Sequence, residues 1–408
     1  MNSKERLQRA IAGQPTDVPA VAPAYLSLYL DERIQRYYLD AYERKRAGAG
    51  TCVIDHAEDS RFRAEAILRA YEIFAEPADW IHTQPGETHA WAEHGEMRFA
   101  DGRWLYVDQK TGETLEMDEP GRLTLPTATR YAYRVRTSKS DLWDESAGLH
   151  SRADVDTLLP IRSVDELEAQ GVFEVTKILA EQIGDRLPLS YIVPTPFWST
   201  YGLLGFQGMM VMMREEPALF AYLMERRSQQ RMEMLKGLAR AGVQYVWLEE
   251  CLSSADLISP RDYERFAFAT AGPYIAEAKR LGLTVILYYC GDVIPRLPWL
   301  KRLGMDALAV EESKKGFSVD IADVIEEVDG ACCVFGNVDA VQVMLDGTYD
   351  AIRAEVHRQL RLGRQARGFV FCQGSPFTLD TPPAKIDWFV HSARRVGAGL
   401  SASTASLP

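Results

Sequence analysis

The sequence predicts an α/β fold, a (β/α)8 TIM barrel with an inserted antiparallel β-hairpin region in its N-terminal part. From about residue 187, short apolar runs alternate six times with longer amphipathic segments. Such alternation is expected of parallel strands joined by right-handed helical crossovers. A doubly wound open sheet is the alternative, but neither GxGxxG nor GxxxxGK[ST] is present to supply its usual phosphate loop. The barrel is therefore favoured.

The strands predicted in the C-terminal half are short, rich in β-branched or aromatic residues and bounded by turn formers. They are Leu187–Pro194, Val243–Glu250, Leu283–Cys290, Ala307–Glu312, Ala331–Asn337 and Phe369–Gly374. Two N-terminal strands would complete the barrel: Val18–Ala24, after an opening helix Lys4–Ala12, and a second near Ile73–Ile81.

Helix signals separate these strands. Ser259 supplies an N-cap, Pro260 the first helical position and Asp262 an acid three residues after the cap, and the pattern continues to Arg280 before Gly282 ends it. The other predicted helices are Pro217–Arg240, Val293–Leu303, Asp320–Val328, Tyr349–Leu362 and Pro383–Val396.

Residues 85–140 differ from the rest of the chain. Polar and apolar residues alternate there around Gly95, Gly102 and Gly112, a pattern typical of antiparallel hairpins. We therefore expect one barrel domain over residues 1–400 with a β-rich insertion at 85–140. Residues 401–408, SASTASLP, are expected to be a flexible tail.

Composition excludes several classes of protein. A net charge of −12 over 408 residues disfavours binding to nucleic acid, which needs clustered lysine and arginine. The charged start of the chain and the absence of long apolar runs predict neither a signal peptide nor a membrane span, so we expect a cytoplasmic protein. Six scattered cysteines without a CxxC pair are expected to be reduced thiols.

Reactive side chains recur where the predicted strands end, which is where barrel enzymes place their active sites. These residues are Glu249, Glu250, Cys251, Cys290, Asp292, Glu311, Glu312, Asn337, Asp339 and Cys372. Core packing alone does not favour such a set, because a buried acid without a partner costs several kcal/mol. The pattern therefore predicts a functional site at this end of the barrel.

Two interpretations of these residues remain open. Thiols and carboxylates could bind zinc with one position free for substrate. Alternatively, Cys290 and Cys372 are small buried hydrophobes, and the glutamates cap helices or pair with Lys314, Lys315 or Arg296. The cysteines at 52, 251, 332 and 333 are expected in the core.

The positions of the histidines and serines argue against two common kinds of hydrolase site. No histidine falls at a strand end of the C-terminal half, which disfavours a three-histidine zinc hydrolase. No GxSxG motif is present to support a Ser-His-Asp triad.

Several segments resemble the uroporphyrinogen decarboxylase superfamily. They are SKERLQRAIAGQPTDVPAV at the N-terminus, and LISPRDYERFAFATAGPYI, CGDVIPRLPWLKRLGMDALAVEE, VFGNVDAVQVMLDGTYDAIRAEV and GFVFCQGSPFTLDTPPAKIDWFV in the C-terminal half. The resemblance covers both ends of the chain and most of residues 187–397. It implies a (β/α)8 barrel with its cleft at the strand C-termini, in agreement with the residue patterns.

Within the superfamily, the cobalamin (corrinoid)-dependent methyltransferase branch resembles the chain better than true uroporphyrinogen decarboxylase. Decarboxylases carry an arginine-rich motif near the first strand, whereas residues 18–30, VPAVAPAYLSLYL, contain no arginine. The methyltransferase branch holds zinc with a His-x-Cys motif, a second cysteine and an acid. Carried over, these ligands fall on Cys290, Cys372 and Glu311, with Tyr288 at the histidine position.

The resemblance implies transfer of a methyl group between a small molecule (methoxy-aromatic, methylamine, thiol or folate) and the cobalt of a corrinoid protein. Zinc and partner-carried cobalamin are the implied cofactors, and the corrinoid protein and the small molecule are the expected partners, with a homodimer left open. Catalytic roles in orienting substrate or moving a proton are expected of Glu249, Glu250, Asp292 and Asn337.

Three other functions remain open. A metal-independent decarboxylase or lyase would use the acids and Tyr288 to protonate a carbanion. A zinc hydrolase would use a bound water, and a degenerate barrel would bind a tetrapyrrole or cobamide without turnover.

Overall fold

A closed parallel barrel is the centre of the protein. The computed structural model describes residues 1–47, 51–83, 95–109, 112, 114–119, 122–123, 149–314 and 316–403. The strands are β1 (Cys52–Asp55), β2 (Ile81–Thr83), β3 (Gly95–Ala100), β4 (Arg103–Asp108), β5 (Thr114–Glu119), β6 (Arg122–Leu123), β7 (Leu189–Pro194), β8 (Tyr245–Glu250), β9 (Thr284–Tyr289), β10 (Ala307–Val310), β11 (Cys333–Phe335) and β12 (Phe369–Val370).

Helices connect the strands and cover the barrel. They are α1 (Ser3–Ile11), α2 (Leu26–Tyr29), α3 (Asp31–Arg46), α4 (His56–Tyr71), α5 (Arg152–Leu158), α6 (Val164–Ala169), α7 (Glu174–Ile183), α8 (Pro196–Ser199), α9 (Tyr201–Glu215), α10 (Pro217–Arg240), α11 (Pro260–Asp262), α12 (Ala269–Arg280), α13 (Leu297–Leu300), α14 (Ile321–Val328), α15 (Tyr349–Gly363) and α16 (Pro383–Ser403). Tyr263–Phe268 and Ala340–Leu345 are π-helical turns, and Ile294–Arg296 is a 3₁₀ turn. Within the described residues, no helix combines the length and apolarity needed to cross a bilayer.

The barrel strands lie in the order β12-β11-β10-β9-β8-β7-β2, and each neighbouring pair is parallel. The N-terminal segment closes this sheet. On one side, Ala22 N donates to Phe371 O (3.0 Å) and Phe371 N donates to Ala20 O (2.8 Å). On the other, Asp79 N donates to Val21 O (2.8 Å), just before β2. The predicted eight-stranded barrel is therefore confirmed.

The second N-terminal strand lies later than predicted. Residues 73–80 form turns and irregular chain, and β2 begins only at Ile81. Pro77 lies in this stretch and has no amide hydrogen to give to a ladder. The helix predicted at Val293–Leu303 is also broken, because Pro295 and Pro298 interrupt it and leave a 3₁₀ turn followed by the short α13.

The antiparallel sheet predicted within residues 85–140 is present in the described part of that range. Its order is β1-β3-β4-β5-β6. Asp101 (φ 52°) and Gly102 (φ 81°) join β3 to β4, as in a hairpin turn that requires two left-handed residues. Strand β1 was not predicted and joins the sheet from outside the range. The other residues of the predicted insertion lie outside the described part of the chain, and so do residues 404–408 of the predicted tail. The first residues of that tail, 401–403, belong to the end of α16.

Side chains of each barrel strand alternate between two environments. One set fills the barrel interior and includes Trp80, Ile192, Trp247, Ile286, Ala309, Phe335 and Val370. The next residue along each strand packs outward against the helices, as Leu248 and Leu287 do. This period of two decides which strand-end residues meet inside the barrel.

A buried ion pair fastens the closing segment. The carboxylate of Asp79 is fully buried and accepts hydrogen bonds from Arg6 Nη1 (2.6 Å) and Val21 N (2.8 Å). Arg394 Nη2 of α16 lies 3.4 Å from the same carboxylate. A buried charge that loses its main partner destabilises a fold by several kcal/mol.

We therefore expect Arg6→Ala to lower the free energy of unfolding by about 3 kcal/mol, because Asp79 would keep only Arg394 as a cation. Arg9→Ala is the matched control: Arg9 lies on the same helix and pairs at 3.6 Å with exposed Glu5, which is worth less than about 0.5 kcal/mol. Denaturant unfolding followed by circular dichroism measures both. Equal losses in the two variants would contradict the proposed role of the buried pair.

Candidate functional site

The carboxyl ends of β8 to β12 form one rim, composed of residues 249–251, 288–292, 311–314, 336–339 and 372–375. Two thiols meet on it. Cys251 and Cys290 directly follow β8 and β9, and their Sγ atoms lie 3.0 Å apart. Both residues are partly exposed. The hydrogen bond shared with Cys290, together with burial, raises the pKa of Cys251. In-register neighbours on parallel strands point the same way, so Cys251 lies beside Cys290 on the rim. The expectation that Cys251 belongs to the core is therefore wrong.

An inward carboxylate lies beside these thiols. Glu249 accepts hydrogen bonds from Tyr25 Oη (2.6 Å) at one oxygen and from Trp198 Nε1 (3.0 Å) at the other. Tyr25 in turn accepts from Trp247 Nε1 (3.0 Å). Donors from two separate segments thus fix the position of this carboxylate, and Trp247 in turn holds one of them.

Tyr25 was not predicted as a site residue. Its backbone has a φ of 58°, a left-handed conformation that costs a tyrosine about 1 kcal/mol or more. The hydroxyl contacts to Glu249 and Trp247 offset that cost. Burial, reinforced by the charges of Glu249 and the two cysteines, raises the pKa of Tyr25 well above its ordinary value, so the phenol keeps its proton.

Tyr288, predicted as catalytic, is buried inside the barrel. Its ring stacks on Trp247 with centroids 5.1 Å apart, and its hydroxyl donates to Gly374 O (2.7 Å). Burial raises the pKa of Tyr288 well above that of a free phenol. The side chain therefore stays protonated and fastens the loop that follows β12.

Glu311 is also on the rim and already has partners. One carboxylate oxygen accepts from Gly291 N (2.8 Å), and the other lies 2.8 Å from Lys314 Nζ. Lys314 lies 3.7 Å from Glu312 as well. Burial raises the pKa of Glu312, whose Oε2 has no hydrogen-bond partner among the described residues. The positive charge of Lys314 is thus committed to two acids.

Glu250, predicted beside Glu249, points the other way. It follows the outward residue Leu248 by two positions and accepts from Thr195 Oγ1 (2.6 Å) and Leu252 N (3.1 Å). Burial raises its pKa to about 7. Its contacts place it between the strand and the helical layer, away from the barrel interior.

Asn337 and Asp292 are less involved in the site than predicted. The Asn337 amide donates to Glu311 O (3.2 Å) and Val319 O (3.1 Å) and accepts from Gln359 Nε2 (3.3 Å). These bonds connect the rim to α15 and occupy both the nitrogen and the oxygen of the Asn337 amide. The backbone of Asp292 donates to Asp256 Oδ1 and accepts from Ala255 N.

The predicted zinc ligands are not assembled. Among the described residues, no three His, Cys, Asp or Glu side chains lie close enough together to hold a metal ion. Cys372 is fully buried among interior side chains, and burial raises its pKa to about 12. With Glu311 engaged by Lys314 and Tyr288 by Gly374, this donor set does not fit zinc.

His82 is an interior residue that the sequence did not indicate. It lies on β2, stacks on Trp80 with centroids 5.0 Å apart, and contacts Ser190 Oγ through Nδ1 (3.0 Å). Its Nε2 is buried and has no hydrogen-bond partner within the part of the chain that the structure describes, and burial lowers the pKa of the ring to about 3. A strand prediction ending one residue later would have included it.

Comparison with known proteins identifies the family. A family model described as uroporphyrinogen decarboxylase (URO-D) matches residues 146–396, more than half of the chain. The chain belongs to the uroporphyrinogen decarboxylase family. The resemblance inferred from the sequence is thereby confirmed.

Curated relatives in this family carry two different names. The uroporphyrinogen decarboxylase of Pelobacter propionicus is 26% identical over 250 residues, covering 60% of this chain and 70% of that protein. The methylcobamide:CoM methyltransferase MtbA of Methanosarcina mazei is 24% identical over 250 residues, with the same coverage. Identity at this level does not separate the two activities.

A solved structure supports the fold of this family member. A methyltransferase from Methanosarcina mazei superposes with a TM-score of 0.64 at 17% identity and covers 97% of this chain and 99% of that one. At that identity the likeness establishes the fold alone.

Glu250 gives this family member a pH-dependent stability. The folded-state pKa of about 7 exceeds the ordinary 4.5 because burial penalises the ionised form. The stability that neutral Glu250 contributes to the fold is fully present below the ordinary pKa of a glutamate. It is therefore lost as the pH rises through about 7. We expect Glu250→Gln, which is neutral throughout, to gain stability relative to the parent between about pH 5 and pH 8, by up to about 3 kcal/mol.

Thermal or denaturant unfolding of both proteins across that range measures the difference. Glu277→Gln is the control, since Glu277 is a partly exposed carboxylate on α12 paired with Arg280 and its pKa is lowered rather than raised. A stability difference between Glu250→Gln and the parent that stays constant with pH would refute the assignment.

Proposed function

We propose that the protein moves a methyl group between a small molecule and the cobalt of a corrinoid carried by a partner protein. The similarity to methylcobamide:CoM methyltransferases from Methanosarcina supports this reaction class. The observation that favours methyl transfer over the family's other named activity is the charge of the rim. It carries four glutamates, at positions 249, 250, 311 and 312.

Two cations near the rim, among the residues that the structure describes, are already engaged. Lys314 is bound to Glu311 and Glu312. Arg296 is buried and donates to the carbonyls of Ser253 and Ile258. A substrate bearing several carboxylates would meet negative charge and find these cations engaged, which is unfavourable. A neutral or cationic methyl donor or acceptor suits the rim better.

The exposure of the rim fits docking of a second protein from this side. Glu249, Cys251 and Cys290 are each partly exposed, although the interior beneath them is filled. The corrinoid, once its carrier has docked, would supply the cobalt that gives or takes the methyl group. The task left to this chain is to bind the small molecule, orient it and manage its proton.

Glu249 is the residue that we assign to that task. Its carboxylate is held by Tyr25 and Trp198, so little reorganisation is needed when a substrate binds. A carboxylate at this position can hold the proton that the leaving group gains or that the accepting group loses. Tyr25, which keeps its proton, can share the hydrogen bond as charge develops.

A metal-independent decarboxylase or lyase acting on a different carboxylated substrate is the second candidate. The contact between protonated Tyr25 and Glu249 favours it, because such a pair can protonate a carbanion without a metal. The relative from Pelobacter propionicus carries the decarboxylase name.

One assay distinguishes the two activities. Purified protein is mixed with methylcobalamin and a panel of thiols and amines, and with the cob(I)alamin form and a panel of methoxy-aromatics and methylamines. We expect a change in the corrin absorbance with a member of either panel. Carbon dioxide release from a carboxylated tetrapyrrole, with no corrin change in any mixture, would instead establish the decarboxylase.

We expect Glu249→Gln to lower kcat/KM for methyl transfer by about 100-fold, since the amide keeps the shape but cannot hold the proton. Glu277→Gln is again the control and should match the parent. Thermal unfolding checks that Glu249→Gln is folded. Unchanged kinetics in a folded Glu249→Gln protein would exclude a catalytic role for this carboxylate.

Zinc is implied only by the sequence resemblance, and the arrangement of the described ligands does not favour it. If Cys290 and Cys372 hold zinc, purified protein contains one zinc per chain and the Cys290→Ser and Cys372→Ser variants lose it. Cys332→Ser, outside the predicted ligand set, should retain it. Elemental analysis of the four proteins measures this, and parent protein without zinc would count against the site.

A further inference from the structure

We propose that Cys251 and Cys290 form a reversible thiol-oxidation site, at which a small-molecule disulfide joins the two sulfurs into an intramolecular disulfide. The Sγ atoms already lie 3.0 Å apart, and both cysteines are partly exposed, although Cys290 also packs against the interior side chains. No disulfide joins them in the structure. This site is independent of the proposed methyl transfer.

The backbone geometry suits a disulfide between these positions. Glu250 and Tyr289 are in-register partners in the parallel pair β8–β9, so the cysteines are the next residues on each strand. Cys290 N donates to Glu250 O (2.9 Å) and maintains this register. Neighbouring strands lie about 4.8 Å apart, a separation within the roughly 4.4–6.8 Å between α-carbons that disulfides span.

The loops beyond the two cysteines are already fastened together. Ala255 N donates to Asp292 O (3.1 Å), and Asp292 N donates to Asp256 Oδ1 (3.1 Å). Gly291, with a φ of 84°, allows the close approach, because a Cβ there would lie 2.4 Å from Ser254 Oγ. Joining the sulfurs therefore requires a side-chain movement of about 1 Å and little change in the backbone.

The other cysteines differ from this pair. Cys52, Cys332, Cys333 and Cys372 are buried, whereas Cys251 and Cys290 are both partly exposed. A dissolved oxidant reaches partly exposed thiols first. The consecutive residues Cys332 and Cys333 belong to opposite sides of the chain, one in the outer core and the other in the barrel interior.

The chemistry proceeds by two thiol–disulfide exchanges. One cysteine, as thiolate, attacks an external disulfide RSSR, forms a mixed disulfide with RS and releases RS⁻, which takes up the proton that the cysteine gave up. The second cysteine then attacks the protein sulfur of the mixed disulfide and expels the other RS group in the same way. In total the two cysteines lose two protons and two electrons, and RSSR takes them up to become two RSH.

Oxidation would change the rim chemically. The new bond would lie beside Glu249, Tyr25 and Tyr288, and the charges of the two cysteines already contribute to the raised pKa values of both tyrosines. It would also remove both thiols from any role in binding substrate or metal. Reduction by a dithiol would restore the original rim.

Oxidised glutathione is a suitable probe. The full-length protein is incubated with it, quenched with acid, alkylated under denaturing conditions and mapped by mass spectrometry. We expect the parent to lose two of its six free thiols, to gain no glutathione and to yield a linked peptide pair containing residues 251 and 290. Dithiothreitol should return all six thiols. An unchanged thiol count, or a persistent glutathione adduct without the linked pair, would overturn the proposal.

Variants separate the two steps. Cys251→Ser and Cys251→Ala should each form a stable glutathione adduct at Cys290 and no linked pair, because the resolving thiol is gone. Cys372→Ser should lose two thiols as the parent does. A linked pair that includes Cys372 in the parent would refute the assignment, and none of these measurements depends on whether methyl transfer is observed.

Discussion

The barrel depends on one interaction, the ion pair that the buried Asp79 carboxylate makes with Arg6. That carboxylate lies just before β2, accepts from the backbone of Val21 and is neutralised by Arg6 of the first helix. The segment 20–22 is otherwise joined to its neighbours by a few backbone hydrogen bonds. Because a buried carboxylate without partners is costly, the ion pair favours the closed arrangement over an open seven-stranded sheet. The positions of all rim residues follow from that closure.

Once the barrel is closed, the two-residue period of its strands decides which reactive residues face the interior. Glu249 and Cys251 face the interior side of β8, whereas Glu250 between them joins the outer layer. Two adjacent acids with similar sequence surroundings therefore have different environments. One is held by aromatic donors at the mouth of the barrel, and the other is buried with a pKa of about 7.

The C-terminal half of the fold could be predicted because strands buried on both faces give continuous apolar runs with clear ends. The site could be predicted only in part. Strand ends indicated Glu249, Cys290 and Glu311, but the contact of Tyr25 with Glu249 joins residues 224 positions apart. A single sequence contains no signal for that pairing. The sequence did not indicate His82 for a different reason. Strand β2 has only three residues, and the turn before it resembles a strand in its apolar content.

The rim satisfies most of its own polar groups, and this affects the chemistry expected there. Glu311 is engaged by the Gly291 amide and by Lys314, and Tyr288 donates to Gly374 where the resembling methyltransferases have histidine. A metal ion bound by Glu311 would have to displace Lys314 from an ion pair that already exists. Displacing it would leave an ammonium group near the metal, which is unfavourable. Proton transfer at Glu249 requires no such rearrangement, and for that reason we assign the principal chemical role to this carboxylate.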